Sequence, residues 1–315
     1  PEKAPNQAEN WNFSNMATNE HNKCNSISDN RALDLIEAAL EIEKQDARDA
    51  GEVGYMPRIL VQTTLPYRDP KTKIYERHNG DLKLSMLSPN GVPFGSIPRF
   101  LVSYLATEAK RTGSPSISLG HSQNDFVKLL GMSTAGGAQK GRMKQQCKRF
   151  FTSMLSLEVT RKNEHGMVQE AMENVLIAKR AFIFWQPKHD EQSLWESTME
   201  LTSDFFQECI TRPVPVDLRV MDVLSPSPMA MDVYVWLTYR VVKARQVSTL
   251  PWKFLMLQFG CSDGTTTAAF RRLFVRALKQ VMTVTNWNPS ISVDDKEGLT
   301  IYPGKGHVLP VNKHK

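Results

Sequence analysis

Between Thr265 and Met282 the apolar residues Phe270, Leu273, Phe274, Ala277, Leu278 and Val281 recur at i, i+3, i+4, i+7, i+8 and i+11, which predicts a helix with one apolar stripe. The opposite face carries Thr266, Thr267, Arg271, Arg272, Arg276 and Lys279, and no carboxylate lies between Asp263 and Asp294. Such a face repels itself and suits a polyanion, although most basic helix faces are only solvated surface. A short helix, Pro251 to Phe259, stands before it and is stopped by Gly260. Alternation at Ile291 to Val293 and Leu299 to Tyr302, around Gly298, predicts a hairpin after it. Helix, turn, basic helix, hairpin is the order of a winged helix-turn-helix, whose second helix enters the DNA major groove.

The same order occurs earlier. Ile97, Phe100, Leu101, Tyr104 and Leu105 trace one helix from Ser96; a second starts at Ser122, with Asp125 three residues on, buries Phe126, Leu129 and Leu130, and stops at Gly131. After the loop Ser133 to Gly137, a third helix spans about Lys140 to Leu155. Its inner stripe is Met143, Cys147, Phe150, Phe151 and Leu155, and its outer face is Lys140, Arg142, Lys144, Gln145 and Lys148. Leu157 to Lys162 and Val175 to Trp185 then alternate as strands around the tip Asn163 to Gly166, a second wing with Arg161, Lys162, Lys179 and Arg180.

Around these units, residues 1–29 are polar and expected to be disordered. Asn30 to Ala50 reads as a helix through Leu33, Ile36, Leu40 and Ala47, with acids between, packing on the domain or on another protomer. Arg58 to Leu65 reads as a strand with Leu82 to Leu87 as its partner, joined through Arg68, Lys71, Lys73 and Arg77. Later, a strand through Met199 and Leu201 leads into a helix, Ser203 to Ile210. Pro213-Val214-Pro215-Val216 cannot be helical and reads as a stiff connector, with a long helix from Ala230 to Lys243 beyond it. The expected fold is α+β, two tandem winged helix-turn-helix domains: 30–212, with leading helix and strands, and 213–315.

At 315 residues the chain accommodates two ordinary domains, and its net charge of +6 permits an anionic partner without requiring one. Cys24, Cys147, Cys209 and Cys261 are scattered without metal-site spacing and read as reduced cytosolic thiols. No apolar run approaches the roughly 18–20 residues of a membrane span, and no signal peptide is visible. The chain opens on Pro1, which leaves open a preceding segment. Gly136 to Arg142 is spaced like a phosphate loop but has Arg142 in place of the lysine, with no Ser or Thr after it, so neither an ATP site nor another cofactor is expected. Tyr234, Trp236 and Tyr239 lie on an apolar helix and read as core rather than as DNA nucleophiles. Asp294, Asp295, Lys296 and Glu297 read as a solvated turn rather than a metal site.

Several strings resemble the plasmid-encoded RepA replication initiators. They are Leu65-Pro66-Tyr67-Arg68-Asp69-Pro70-Lys71, Pro93-Phe94-Gly95-Ser96-Ile97-Pro98-Arg99, Thr107-Glu108-Ala109, Asp232-Val233-Tyr234-Val235-Trp236-Leu237-Thr238-Tyr239-Arg240 and Gln258-Phe259-Gly260. The resemblance runs from about Arg58 to Pro310. It implies tandem winged-helix domains that bind double-stranded DNA at origin repeats and open an adjacent AT-rich segment. It also implies the host helicase and host initiator as partners. It transfers no map of base contacts.

Physical reasoning supplies one. Thr266, Thr267 and Arg271, early in the distal basic helix, would face base edges; Arg272, Arg276 and Lys279 would contact phosphates, and any of the arginines could instead pair with acids of the fold. In the first unit Lys140, Arg142, Lys144 and Lys148 would bind a neighbouring groove, with Arg161 and Lys162 along the backbone. That unit could equally serve in dimerisation, together with the helix Asn30 to Ala50. The distal tip is too acidic to hug a phosphate. A non-enzymatic cytosolic initiator is the leading reading. A two-domain transcriptional repressor without origin melting is the alternative, and a nicking enzyme is disfavoured by the lack of a metal triad.

Overall fold

The computed structural model describes residues 29–130, 132, 137–162, 168–183, 196–260, 265–287 and 291–308. Of the expected disordered segment 1–29, Asp29 is helical and residues 1–28 lie outside them; so do the helix stop at Gly131, most of the loop Ser133 to Gly137, the tip Asn163 to Gly166, Trp185, Cys24 and Cys261. In chain order the described elements are α1 (Asp29–Glu43), β1 (Val53–Met56), α2 (Arg58–Gln62), β2 (Ile74–Asn79), β3 (Leu82–Leu87), α3 (Ser96–Thr112), β4 (Ser116–Ser118), α4 (Gln123–Leu129), α5 (Gly137–Phe151), β5 (Met154–Lys162) and β6 (Val168–Leu176). They continue with β7 (Ala178–Phe182), β8 (Thr198–Leu201), α6 (Ser203–Ile210), β9 (Val214–Asp217), α7 (Leu218–Leu224), α8 (Pro228–Lys243), β10 (Ser248–Leu250), α9 (Trp252–Phe259), α10 (Thr267–Thr285), β11 (Ile291–Asp294) and β12 (Gly298–Ile301).

Helices and small antiparallel sheets thus alternate, a mixed α and β architecture. The sheets run β2-β3-β5-β6, β4-β8-β7, β10-β12-β11 and β1-β9. α8 is the axle. Ser227 caps it by accepting from the Ala230 N–H, Pro228 sits in its first turn, and nearly every residue from Met229 to Thr238 is buried, as in a helix enclosed on all sides. One continuous apolar core runs past it, from Leu35 on α1 to Ile301 on β12.

Local pattern and tertiary placement part company at several points. Arg58 to Leu65 holds a short helix instead of a strand: Pro57 opens α2 and the Thr63 N–H returns to Ile59. A short apolar run has no periodicity that separates the two states. The strand is β1, just upstream, and its partner is β9, so the Pro213 to Val216 stretch is extended as expected but paired, with Gly54 opposite Val216. β3 takes β2 and β5 as neighbours, so the basic connection itself contains a strand. α5 ends at Phe151, and Leu155, expected at the end of that helix, lies in the next strand, β5. Val175 to Trp185 is not one strand: the chain breaks at Ile177 and changes sheet between β6 and β7.

On α1 the stripe inferred from sequence is the wrong one. Leu35, Ala39 and Ile42 are buried, and α1 packs on α10 and α7, while Leu33, Ile36 and Leu40 face outward. Cys147 and Cys209 are buried free thiols, and burial pushes Cys147 up to about 12.

Candidate nucleic-acid interface

α10 is built to be rigid. Thr266 is its N-cap, the hydroxyl accepting from the Ala269 N–H at 3.2 Å, and Asn286 closes it in the left-handed region at φ 44°. Phe270, Phe274, Ala277, Leu278 and Val281 are buried as the spacing predicts; Leu273, expected among them, is exposed, and Val275 and Val284 are buried instead. The difference arises because α10 is flanked by α1 as well as by α8 and α9. Phe274 is the hub, with ring centroids 5.1 Å from Phe259, 5.9 Å from Trp252 and 6.2 Å from Trp236. Burying such a ring contributes about 1.5–3 kcal/mol, and each edge-on aromatic pair about 0.5–1.5 kcal/mol more.

The outer face does not treat its cations alike. Arg271 is turned into the hairpin: its Nη1 donates to the Asp295 carbonyl at 2.6 Å and lies 3.4 Å from that residue's carboxylate. The acidic tip is therefore partly a structural counter-charge, which corrects the reading of a wholly uncompensated face. Asp294 shapes the same turn by accepting from the Lys296 and Glu297 N–H groups, which hold its carboxyl below the usual range. The hairpin sits against β10 so closely that a Cβ at Gly298 would fall 2.0 Å from the Leu250 carbonyl oxygen. Arg272, Arg276 and Lys279 follow one another at i, i+4 and i+7, Arg272 and Arg276 exposed and Lys279 half-buried, with no carboxylate partner among the described residues. Thr266 and Thr267 are exposed at the start of the helix; the Thr267 hydroxyl is 4.0 Å from the Met256 sulfur. Lys253, exposed on α9, was passed over in sequence because it precedes the basic run.

α4 and α5 repeat the arrangement with different wiring. Ser122 caps α4 by accepting from the Asp125 N–H, and Met143, Cys147, Phe150 and Phe151 are buried. Arg142, Lys144 and Lys148 are exposed without a carboxylate partner among the described residues. Lys140 is half-buried and engaged. Arg149 is turned inward, donating to both Asp69 oxygens at 3.2 Å and to the Val92 carbonyl at 3.0 Å, and these bonds hold the Asp69 carboxyl below its ordinary range. Arg161 and Lys162 end β5 opposite Gln169 and Val168; their side chains lie outside the described residues. Lys179 and Arg180 do not belong to this hairpin: on β7 both pair with Glu200, at 2.9 and 2.5 Å.

Four of the five strings that carried the resemblance, all but Thr107-Glu108-Ala109, converge on a buried joint between the halves rather than on the basic faces. Arg99 grips Asp232 with two bonds of 2.6 and 2.7 Å and also donates to the Leu65 and Gly95 carbonyls. The Thr64 hydroxyl bonds to the Phe259 carbonyl, and Gln258 to that of Gln62. Gly260 passes so close to Arg77 that a Cβ there would overlap the guanidinium at 2.1 Å. Tyr234 is wholly buried, its hydroxyl accepting from the Asp217 N–H and 2.9 Å from His307 Nδ1, so it is not available as a nucleophile. Among the described residues no cluster of metal-ligating side chains occurs, and no helix is long and apolar enough to cross a membrane.

A family model described as plasmid encoded RepA protein matches residues 92–253, from the loop before α3 to the start of α9. No curated protein matches the chain. Among solved structures, a selenomethionine crystal structure of domains 2 and 3 of RctB is similar at 11% identity and a TM-score of 0.50, covering 78% of this chain and 98% of that one. A second crystal structure of RctB domains 2-3 is 14% identical with a TM-score of 0.48, covering 77% and 94%.

Proposed function

This chain belongs to the family of plasmid-encoded RepA replication initiators, and from that premise we propose that it binds repeated sites in a plasmid origin through two tandem winged-helix units. One unit is α4, α5 and the β5–β6 hairpin within 30–212; the other is α9, α10 and the β11–β12 hairpin within 213–315. The carrying observation is the line Arg272, Arg276, Lys279, three cations on a helix locked by a buried aromatic hub and lacking acidic partners among the described residues. The family match stops at Lys253, so the role of α10 rests on this geometry.

In the complex α10 lies in the major groove with Thr266, Thr267 and Arg271 nearest the bases, Arg271 leaving the Asp295 carboxylate for a guanine edge. Arg272, Arg276 and Lys279 neutralise phosphates. Lys140, Arg142, Lys144 and Lys148, with Arg161 and Lys162 beyond, do the same on a neighbouring stretch. The protein acts in the bacterial cytosol without catalysis or cofactor, opens adjacent AT-rich duplex, and hands it to the host helicase and host initiator.

The test is binding to origin repeats of the replicon and to scrambled duplex across a salt series, with single-strand probing beside the repeats. Tight, strongly salt-dependent binding to the repeats with local opening is expected. Binding without opening would indicate a repressor. Equal binding to every duplex would sink the assignment.

A further inference from the structure

The exposed face of α5 is cationic at Arg142, Lys144 and Lys148 and uncharged at Gly141 and Gln145. At 3.6 residues per turn, Gln145 lies opposite Met143, Cys147 and Phe150, all wholly buried, with Gly141 one turn before it and Arg142 and Lys148 to either side. The Gln145 amide is exposed and makes no hydrogen bond among the described residues. Its neighbour Gln146 is the opposite case, buried and accepting from the Phe94 N–H at 2.8 Å. Arg149, one turn on, is withdrawn from this face by Asp69. Gly141 has no internal cause: it is helical, a Cβ there would meet nothing within 4 Å, and glycine inside a helix is destabilising relative to alanine. A side chain missing from open space suits a face that another surface must approach closely. The helix is also held in place, since Gln123 Nε2 donates to the Lys140 carbonyl and ties α4 to the first turns of α5.

We propose that Gln145 reads an adenine in the major groove and that Gly141 lets the groove floor reach the helix, so the proximal unit adds sequence recognition to its phosphate contacts. This rests on the DNA reading above. A groove that admits α5 along this face has Arg142 and Lys148 toward its two phosphate walls and Gln145 toward the base edges. Among Gly141, Arg142, Lys144, Gln145 and Lys148, Gln145 alone offers both a donor and an acceptor. That pair matches adenine: the amide NH2 donates to N7 while its carbonyl accepts from the N6 amino group. Any other base in that place leaves one half of the amide desolvated and unpaired, which is the source of discrimination. The flanking cations fix the position of the helix on the duplex and carry no sequence information themselves.

The test pairs side-chain and base substitutions in the full chain. Binding is measured to an origin-repeat duplex in which each adenine in turn is 7-deazaadenine, which replaces N7 by C–H and keeps Watson–Crick pairing. At one position the analogue is expected to weaken parent binding about fivefold. Gln145→Ala is expected to lose at least as much on the unmodified duplex, to become indifferent to the analogue at that position, and to keep its Tm. Gln145→Arg is expected to move the preference at that pair from A·T to G·C. Gly141→Leu is expected to keep or raise Tm and still lose origin affinity, and binding equal to the parent's overturns the close approach of α5. Analogue sensitivities that are the same in the parent and in Gln145→Ala overturn the Gln145 assignment and leave the DNA reading intact. A parent that does not distinguish the repeat from scrambled duplex overturns the DNA reading itself.

Discussion

The two helix–helix–hairpin units share an order of elements and close differently. In the distal unit, both helices hold the hairpin: Arg271 on α10 reaches Asp295, Trp252 on α9 donates to the Asp294 carbonyl, and the short sheet is completed by β10. In the proximal unit the hairpin continues into β2 and β3 and leaves β6 as an edge, while the inward arginine, Arg149, is fastened to Asp69 from the leading segment. The same motif is thus self-contained in one place and a component of a larger sheet in the other. Counter-charge follows that difference. Each unit commits one arginine to its own structure, Arg271 or Arg149, and leaves other cations of the same helix without a carboxylate partner among the described residues, so spatial neighbours rather than residue type separate counter-charged cations from bare ones.

The largest effect should come from the joint between the units. Asp232→Ala strips a buried Arg99 of its bidentate partner, a loss of about 3–5 kcal/mol. Urea unfolding would show the midpoint falling sharply, whereas a shift of only a few tenths of a kcal/mol would mean that Arg99 is held by the Leu65 and Gly95 carbonyls alone.

Next in size is the effect of the two basic faces. Arg272→Ala with Arg276→Ala should lower the slope of log affinity against log salt by about 2 while sparing the preference for origin repeats, since phosphate contacts carry no sequence information. Arg142→Ala with Lys148→Ala should do the same on the neighbouring stretch. An unchanged slope for either double in a salt-titrated binding assay would remove that face from the interface.

Within the distal helix, Arg271→Ala should cost about 1–3 kcal/mol of discrimination and little stability, since its pairing with Asp295 is near the surface. Lys279→Ala should weaken cognate and random DNA equally. Competition binding with both duplexes separates them, and equal loss of specificity would contradict the roles.

The smallest effect concerns His307, whose Nδ1 lies 2.9 Å from the Tyr234 hydroxyl. Burial holds the His307 imidazole below its ordinary range. Its folded value is lower than its unfolded one, so this stabilisation is full above the unfolded value and declines as pH falls toward the folded one. The melting temperature should therefore drop between pH 7.5 and 5.5 by more in the parent than in His307→Asn; parallel curves would remove His307 from the account.

Legibility varied with how local the cause was. α6 was read to the residue because Thr202 and the residues before Pro213 mark both ends within the segment. α8 and α10 were located by long 3.6-residue periodicity. The proximal hairpin was misread past Ile177 because Val175 to Trp185 alternates plausibly throughout, and only the change of partner from β5 to β8 breaks it. The failure on α1 is the most instructive. Leu33, Ile36 and Leu40 form as good a stripe as Leu35, Ala39 and Ile42, and nothing in the helix itself distinguishes them.

Periodicity and caps by themselves determined where α3, α4, α6, α9 and α10 begin and which side chains of α8 and α10 are apolar, because each depends on residues within one or two turns. Tertiary structure alone decided which stripe of α1 is buried, that the Pro213 to Val216 stretch pairs with β1 as a strand, and that Arg271 and Arg149 are counter-charged while Arg272 and Arg276 are not. The physical reason is range. Side-chain spacing acts along the chain, whereas burial and Coulomb pairing act across a few ångströms of space, between residues as far apart in sequence as Arg99 and Asp232.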